Sequence, residues 1–453
     1  MVKSLHPAKR GKMKVIADLE VHSKYARAVS PQMTLPTIAE WADKKGINLV
    51  GTGDFTHPIW LRELDASLEE AGSGIYKLKN SQSPSRFLLT SEVSCVYSHK
   101  GKGRRIHILV YLSSLEEVRK FNKELTLRGA NLFSDGRPII GLTLAQLTEI
   151  ALSANPKAIL IPAHVWTPWF GFYGDKSGYD SLFEAFGQLE KYIPAVETGL
   201  SSDPAMNWRI GELTDKRIVS FSDAHSPQKL GREATVFELA GLSFENIRNA
   251  IVGQEGSSIA YTIEFYPEEG KYHYTGHRNC KVVYSPNETR KKGITCPVCG
   301  RPLTVGVMSR VEHLASQEIE IETELDEFGV RWIKQKVSGP ASLGSGGRPY
   351  VMLVPLSEIL SEALASGPAS QKVLGVYEQL LSSFGTEFAV LLETNAEDIK
   401  RIAGDRVAEA IDKVRRGDIV IEPGYDGVFG KVGIWREEEE GQKKEDIDQG
   451  TLF

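Results

Sequence analysis

Val15-Ile16-Ala17-Asp18-Leu19-Glu20-Val21-His22 is an apolar run that ends in two acids and an imidazole. Side chains alternate along a strand, so Asp18, Glu20 and His22 share one face. The same grammar recurs in Leu49-Val50-Gly51-Thr52-Gly53-Asp54, Phe87-Leu88-Leu89-Thr90-Ser91-Glu92 and Arg105-Ile106-His107. It returns in Leu160-Ile161-Pro162-Ala163-His164, Ala195-Val196-Glu197 and Ile218-Val219-Ser220-Phe221-Ser222-Asp223-Ala224-His225. Apolar runs of this kind are buried strands, and strand ends of a parallel barrel are where active sites are built. Imidazoles and carboxylates at one rim are a ligand set for divalent metals. The pattern predicts a multinuclear metal hydrolase.

Between these runs lie amphipathic stretches such as Thr37–Lys44 and Leu142–Ile150. Strand and helix alternate from residue 14 to about 258, which predicts an α/β fold with a parallel sheet closed into a distorted barrel. An open doubly wound sheet is the alternative. We expect residues 1–258 to form this barrel, 259–310 a small module, and 311–437 a mainly helical C-terminal region with a flexible insert near 323–348. A polar tail, 438–453, completes the chain. At 453 residues, with 41% hydrophobic and 25% charged, the composition is that of a soluble multidomain protein. No apolar run is long enough to span a membrane. The N-terminus lacks the apolar core of an export signal, so a cytoplasmic location is expected. The net charge of −5 argues neither for nor against nucleic acid.

Glu92 is placed to bridge two ions with both oxygens, while Asp223 and His225 share a strand face as Asp18, Glu20 and His22 do. His107 and His164 add imidazoles; Glu197 and Asp54 are weaker candidates, because strand-end acids also cap helices. Mixed nitrogen and oxygen donors suit Zn²⁺, Mn²⁺ or Fe²⁺, with Mg²⁺ also admitted. Two or three such ions would activate a water and clamp a phosphoester. Glu92, Asp223 and His225 are the residues expected to carry catalysis.

Three of the four cysteines cluster. His277-Arg278-Asn279-Cys280 and Cys296-Pro297-Val298-Cys299 pair an HxxC with a CxxC, fifteen residues apart. That spacing predicts one structural zinc on His277, Cys280, Cys296 and Cys299, with His273 as an alternative ligand. Cys95, alone near Glu92, is expected to serve packing. Lysines and arginines crowd this module, and Ser98–Arg105 is a second basic stretch in which Arg104 and Arg105 lead into His107. Both suit phosphate contact. The loop from His164 to Gly174 carries Trp166, Trp169 and Phe170, which could stack on a base that has left the duplex or pack rigidly on the barrel. Asn207 and Arg209 follow another strand end and are candidates for phosphate.

These motifs resemble the PHP (polymerase and histidinol phosphatase) superfamily, whose fold is a distorted (β/α)7 barrel around a trinuclear metal cluster. Its opening D-x-H-x-H is similar to Asp18–His22, and its second motif to Gly53-Asp54-Phe55-Thr56-His57, which adds His57 to the implied ligands. Its bridging acid falls on Glu92, its isolated histidines on His107 and His164, and its closing D-x-H on Asp223-Ala224-His225. One departure stands out: Glu20 occupies the place of the first histidine. The site is expected to work with an altered metal preference, or else to be weakened.

Glu197–Pro204, the module from His277 to Cys299, and Ile421–Gly430 together resemble the endonuclease Q family. That resemblance implies a DNA-repair endonuclease that nicks 5′ to uracil, hypoxanthine, xanthine or an abasic site, in double- or single-stranded DNA. Two rivals remain: a PHP-type phosphatase or exonuclease, and a catalytically impaired DNA-binding adaptor. The terminal Gln449-Gly450-Thr451-Leu452-Phe453 resembles sliding-clamp-binding peptides, with Gln449, Leu452 and Phe453 as the anchors. No membrane partner is expected, and the location would be cytoplasmic and nucleoid-associated.

Overall fold

The computed structural model describes residues 11–336 and 347–436. The peptide ending in Phe453, with Gln449 and Leu452, lies outside the described residues, as does most of the glycine-rich stretch near 338–347.

Seven strands surround the first hydrophobic centre: β1 (Met13–Asp18), β2 (Leu49–Gly51), β3 (Arg86–His99), β4 (Lys102–Leu112), β5 (Ile159–Pro162), β6 (Ala195–Glu197) and β7 (Arg217–Val219). β1, β2 and β3 run parallel, as do β6 and β7. β5 meets β6 through Val165 N–H donating to Glu197 O (3.1 Å). The ring closes where Val21 bridges Ala224 in parallel and His22 N–H donates to Ala224 O (3.1 Å). That closure excludes the open doubly wound sheet. Val15, Ala17, Leu88, Leu109, Ile161, Val219 and Phe237 fill one core, every one of them almost fully buried.

One strand departs from the all-parallel expectation. β4 runs antiparallel to both β3 and β5. The reason is the hairpin at Lys100-Gly101, where both residues have positive φ (49° and 77°) and His99 pairs with Lys102. Two consecutive positive-φ residues form the tight turn whose twist matches a hairpin. Ser98–Arg105 is therefore the tip of two long strands and not a free loop. Glu92 and His107 lie midway along those strands, deeper than strand ends.

The sheet continues outward from β1. Ala234–Leu239 pairs antiparallel with it, Ser258–Glu264 follows, and Tyr350–Met352 runs parallel to that. Ile321–Leu325 and Arg331–Gln335, expected within a flexible insert, form an antiparallel hairpin on this edge. Trp332 packs edge-on against Tyr261 with ring centres 4.8 Å apart, which anchors it. Among the described residues, no helix is long and apolar enough to cross a membrane.

C-terminal helices span Leu356–Ala363, Gln371–Phe384, Glu387–Leu392, Ala396–Ala403 and Asp405–Arg416. A buried ion pair welds them to the barrel. Lys45, at the end of the helix Leu35–Lys45, lies 2.8 Å from Glu387, and both side chains are almost fully buried. Tyr377 Oη–H (2.8 Å) and Leu356 N–H (3.0 Å) donate to the same carboxylate. Gly46 follows with φ +90°, and a Cβ there would lie 2.7 Å from Thr386 Oγ1, so only glycine permits this approach. Removing one partner of such a pair strands a buried charge. Glu387→Ala is expected to lower stability by about 3–5 kcal/mol, read as a drop in the denaturant midpoint.

Candidate metal centre

Glu92 sits at the middle of the site, on β3, almost fully buried. His107, on the paired strand β4, touches its Oε1 through Nδ1. His164 Nε2 lies 3.1 Å from the same oxygen and 3.1 Å from His107 Nδ1. On the other side, His22 Nε2 lies 3.1 Å from Glu92 Oε2 and 3.1 Å from Asp223 Oδ1. The His225 ring is 4.8 Å from that of His22. Three overlapping groups result: Glu92 with His107 and His164, His22 with Asp223 and His225, and Glu20 with Glu92 and Asp223. Within each, one ligand atom per residue lies within 4.8 Å of the others.

The donors fit a cation better than one another. Among the described residues, neither buried Glu20 oxygen has a hydrogen-bond donor, and His22 Nε2 and Asp223 Oδ1, 3.1 Å apart, form no well-aligned hydrogen bond. Buried polar atoms almost always have partners, so carboxylate and imidazole atoms crowded here without them mark a place for a cation. Ligand atoms on a tetrahedral ion with bonds of about 2.0–2.1 Å lie about 3.3 Å apart, close to the 3.1 Å spacings seen. Glu20 therefore fits as an oxygen donor in place of an imidazole.

Charge shapes this nest. Burial pushes the Glu20 carboxyl well above its ordinary range, and Glu197, Asp223 and Glu92 add to the effect. Burial also works against Glu92, but His107, Arg137 and His164 outweigh it and hold that carboxylate well below the usual range. For Asp223 burial is outweighed by His22, which brings the acid down to about 2. His107 goes the other way: burial overrides Glu92 and lowers the ring to about 4, in the neutral form that binds metals. Burial raises Glu197 to about 7.

A second layer aims these groups. Asp54 accepts from Ser23 N–H (2.6 Å) and Ser23 Oγ–H (2.7 Å), and meets His22 Nδ1 at 3.0 Å. A carboxylate on the far nitrogen fixes an imidazole's orientation. Gly53, at φ +60°, has no room for a side chain: a Cβ would be 2.2 Å from Val21 O. Asp18, expected among the ligands, instead accepts from Ser222 N–H (3.0 Å) and Gly231 N–H (2.9 Å) and tethers the Asp223 loop. Glu197 does the same for His164 N–H and Phe221 N–H (3.3 Å). Asp54, His164, Phe170 and Asp223 all adopt positive φ, strained conformations of the kind found at functional sites. His57 lies apart: its ring stacks on Tyr25 at 4.6 Å and its Nδ1 accepts from Trp60 N–H (3.4 Å).

Several expected substrate contacts are placed elsewhere. Trp166 is core, donating through Nε1 to Asn207 Oδ1 (2.8 Å), and both are buried. Arg104 is buried against Gly178 O, with its guanidinium 3.9 Å from the Tyr179 ring centre. Arg209 pairs with Glu312 (2.6 Å). Trp169 and Arg105 are exposed. Phe170 lies against His107, ring centres 4.6 Å apart. Cys95 is buried, its thiol pushed up by burial alone.

Arg137 was not anticipated. Its Nη1 donates to Glu92 Oε2 (3.0 Å), and its side chain is partly exposed. It lies in the turn Asp135-Gly136-Arg137-Pro138, where no periodicity singles it out.

His277, Cys280, Cys296 and Cys299 bring one ligand atom each within 4.8 Å of the others. His273 lies outside this group; it is buried, and among the described residues its Nδ1 has no hydrogen-bond partner. Burial opposes the Cys296 thiolate, but the Cys299 backbone N–H and the His277 ring outweigh it and bring the thiol down to about 6. Among the described residues, the local core is Val282, Tyr284, Cys296 and Leu303 with Cys280 packed against them, too small to fold alone without a staple.

Comparison with known proteins places this architecture. The fold superposes on the lesion-specific endonuclease PfuEndoQ from Pyrococcus furiosus with a TM-score of 0.78 and 33% identity, covering 95% of this chain and 99% of that one. The chain belongs to the endonuclease Q family. A second structure, endonuclease Q complexed with a 27-mer duplex carrying an abasic lesion at its active site, matches at 34% identity and TM-score 0.78, over 94% of this chain and 98% of that chain. The uncharacterized protein YqxK of Bacillus subtilis is 29% identical over 434 residues, 92% of this chain and 99% of the relative. The uncharacterized protein MJ0043 of Methanocaldococcus jannaschii is 31% identical over 287 residues, 62% of this chain, which spans 32% of that relative. Residues 355–418, the C-terminal helices of this endonuclease Q relative, match the model of the MJ0043 C-terminal domain. Cys296→Ser is expected to remove about one bound metal per chain, read by elemental analysis, and to lower the melting temperature, because metal binding is folding energy in so small a module.

Proposed function

We propose that this chain is a metal-dependent DNA-repair endonuclease that nicks the phosphodiester 5′ to a deaminated base (uracil, hypoxanthine or xanthine) or an abasic site. The observation that carries this reading is the nest of orphaned donors around Glu92, within a chain that aligns along 95% of its length with a lesion-specific endonuclease. Divalent ions bound there would supply an activated water and charge neutralisation on the phosphoester. Glu20, His22, Glu92, His107, His164, Asp223 and His225 would hold them, and His277, Cys280, Cys296 and Cys299 would hold a structural zinc. Asp54 keeps His22 turned inward, and Asp18 and Glu197 keep the loops of Asp223 and His164 in place. Arg137 adds a permanent cation beside Glu92, placed to take a phosphate oxygen by charge-assisted bonds.

The test uses labelled duplexes with a single uracil, inosine, xanthine or abasic site, incubated with Mn²⁺, Zn²⁺ or Mg²⁺. The expected product is one nick 5′ to the lesion, lost in Asp223→Ala. Shortening from the ends or release of free phosphate would point to a phosphatase or exonuclease. Binding without cleavage under every metal would leave a DNA-binding adaptor. Arg137→Ala is expected to lower kcat/KM about a hundredfold while its bound metal, measured in parallel, stays at the level of the unaltered protein.

A further inference from the structure

Three stretches remote in sequence converge on one exposed ridge. Trp169 follows the metal-centre loop and is 37% exposed. Its ring meets that of Tyr272 edge-on, with centres 5.2 Å apart. Lys271, the next residue along, holds Nζ 4.5 Å from the ring centre of Phe429, which is 65% exposed. Val428 beside it is 40% exposed. The ridge starts at the metal centre itself, because Phe170, next to Trp169, packs on His107.

The outer end of the ridge is held rigidly. The turn Tyr425-Asp426-Gly427-Val428 is closed by Val428 N–H donating to Tyr425 O (2.8 Å). Asp426 accepts from Arg278 N–H (2.7 Å) and Thr304 Oγ–H (2.5 Å), and Gly427 N–H donates to Lys271 O (2.9 Å). Gly430 N–H is tied to Glu269 O (3.0 Å). A Cβ on Gly427 would lie 3.1 Å from Arg278 Nη1 and 3.8 Å from Tyr272 Oη, so those side chains close around the turn. A large apolar tip held this firmly in water is costly unless a partner covers it.

We propose that the ridge Trp169–Tyr272–Phe429 is a stacking wedge for DNA: Phe429 and Val428 press into the duplex beside the lesion, and the Phe429 ring stacks on the base left unpaired. The inference rests on the DNA-endonuclease reading above. Aromatic faces accept any base, so stacking on this ridge would not depend on which base is left unpaired. Lys271 and Arg278 flank the tip with positive charge, which suits phosphates on either side of the gap. Insertion of apolar side chains between base steps is an established way to kink and open a duplex. The unpaired lesion would then lie on the metal side of the ridge.

The experiment compares Phe429→Ala and Phe429→Trp with the unaltered protein. One measurement is the ratio of incision on a uracil duplex to incision on the same uracil strand alone. The other is the fluorescence of 2-aminopurine placed opposite the uracil, which rises when a base unstacks and is quenched when it stacks on an aromatic ring. Phe429→Ala is expected to lower the incision ratio about tenfold and to abolish the fluorescence change on binding. Phe429→Trp should restore both. A normal ratio and an unchanged fluorescence response in Phe429→Ala would overturn the wedge, as would a change confined to self-association. If no form of the protein cuts a lesion, the DNA-endonuclease reading fails, and the fluorescence response still decides whether the ridge engages bases.

Discussion

A buried carboxylate that must stay charged organises this molecule. Glu92 lies in the barrel interior, where an isolated anion is costly unless cations or hydrogen-bond donors surround it. Imidazoles approach from three directions, and Arg137 comes from a fourth. Each of those groups needs support in turn. Asp54 orients His22; Glu197 pins the backbone of His164; Asp18 pins that of Ser222, next to Asp223. The strained backbones of Asp54, His164 and Asp223 are what these tethers hold in place. The barrel closes at Val21 and Ala224, one residue from His22 and from His225. The bridge that closes the sheet thus lies between the same two segments that supply His22 and His225.

The antiparallel β4 follows from that arrangement. A strand end offers a side chain at the rim, but the middle of a hairpin offers one at depth. Glu92 and His107 stand on paired strands near one another, with Glu92 opposite Leu109 and His107 opposite Ser94. Ladder hydrogen bonds on both sides hold their separation more firmly than a loop would. The same hairpin carries Arg104 into contact with Tyr179, bracing the aromatic loop from below.

Much of this was readable in the chain because strands have a period of two. Asp18, Glu20, His22 and the Asp223–His225 pair declare a shared face by spacing alone. Spacing does not declare depth, which is why Asp18 reads like a ligand yet spends its oxygens on backbone N–H groups. The aromatic loop shows the same limit: Trp166 and Trp169 are three residues apart, and only the fold sends one inward and the other to water. Arg137 had no signal, since a cation in a turn looks like any other solvated charge. Lys100-Gly101 lacks the asparagine that usually announces a hairpin, so the reversal of β4 was hidden. The hairpin at 321–335 was masked by the glycine-rich stretch beside it. The zinc-type module was the clearest element, because four ligands at fixed spacing admit few other uses.

The weld between Lys45 and Glu387 bears on the history of the C-terminal helices. Residues 355–418 match a domain defined in a different, much longer protein, with which this chain aligns over 287 residues. Yet that unit carries half of a buried ion pair and the threonine against which Gly46 is fitted. A unit of this kind does not move as a free cassette. Any host that accepts it must already present a lysine and a glycine at the end of the facing helix, or lose Glu387 at the same time. Lineages that share the domain should therefore show these positions changing together, and the junction records which partner it grew up with.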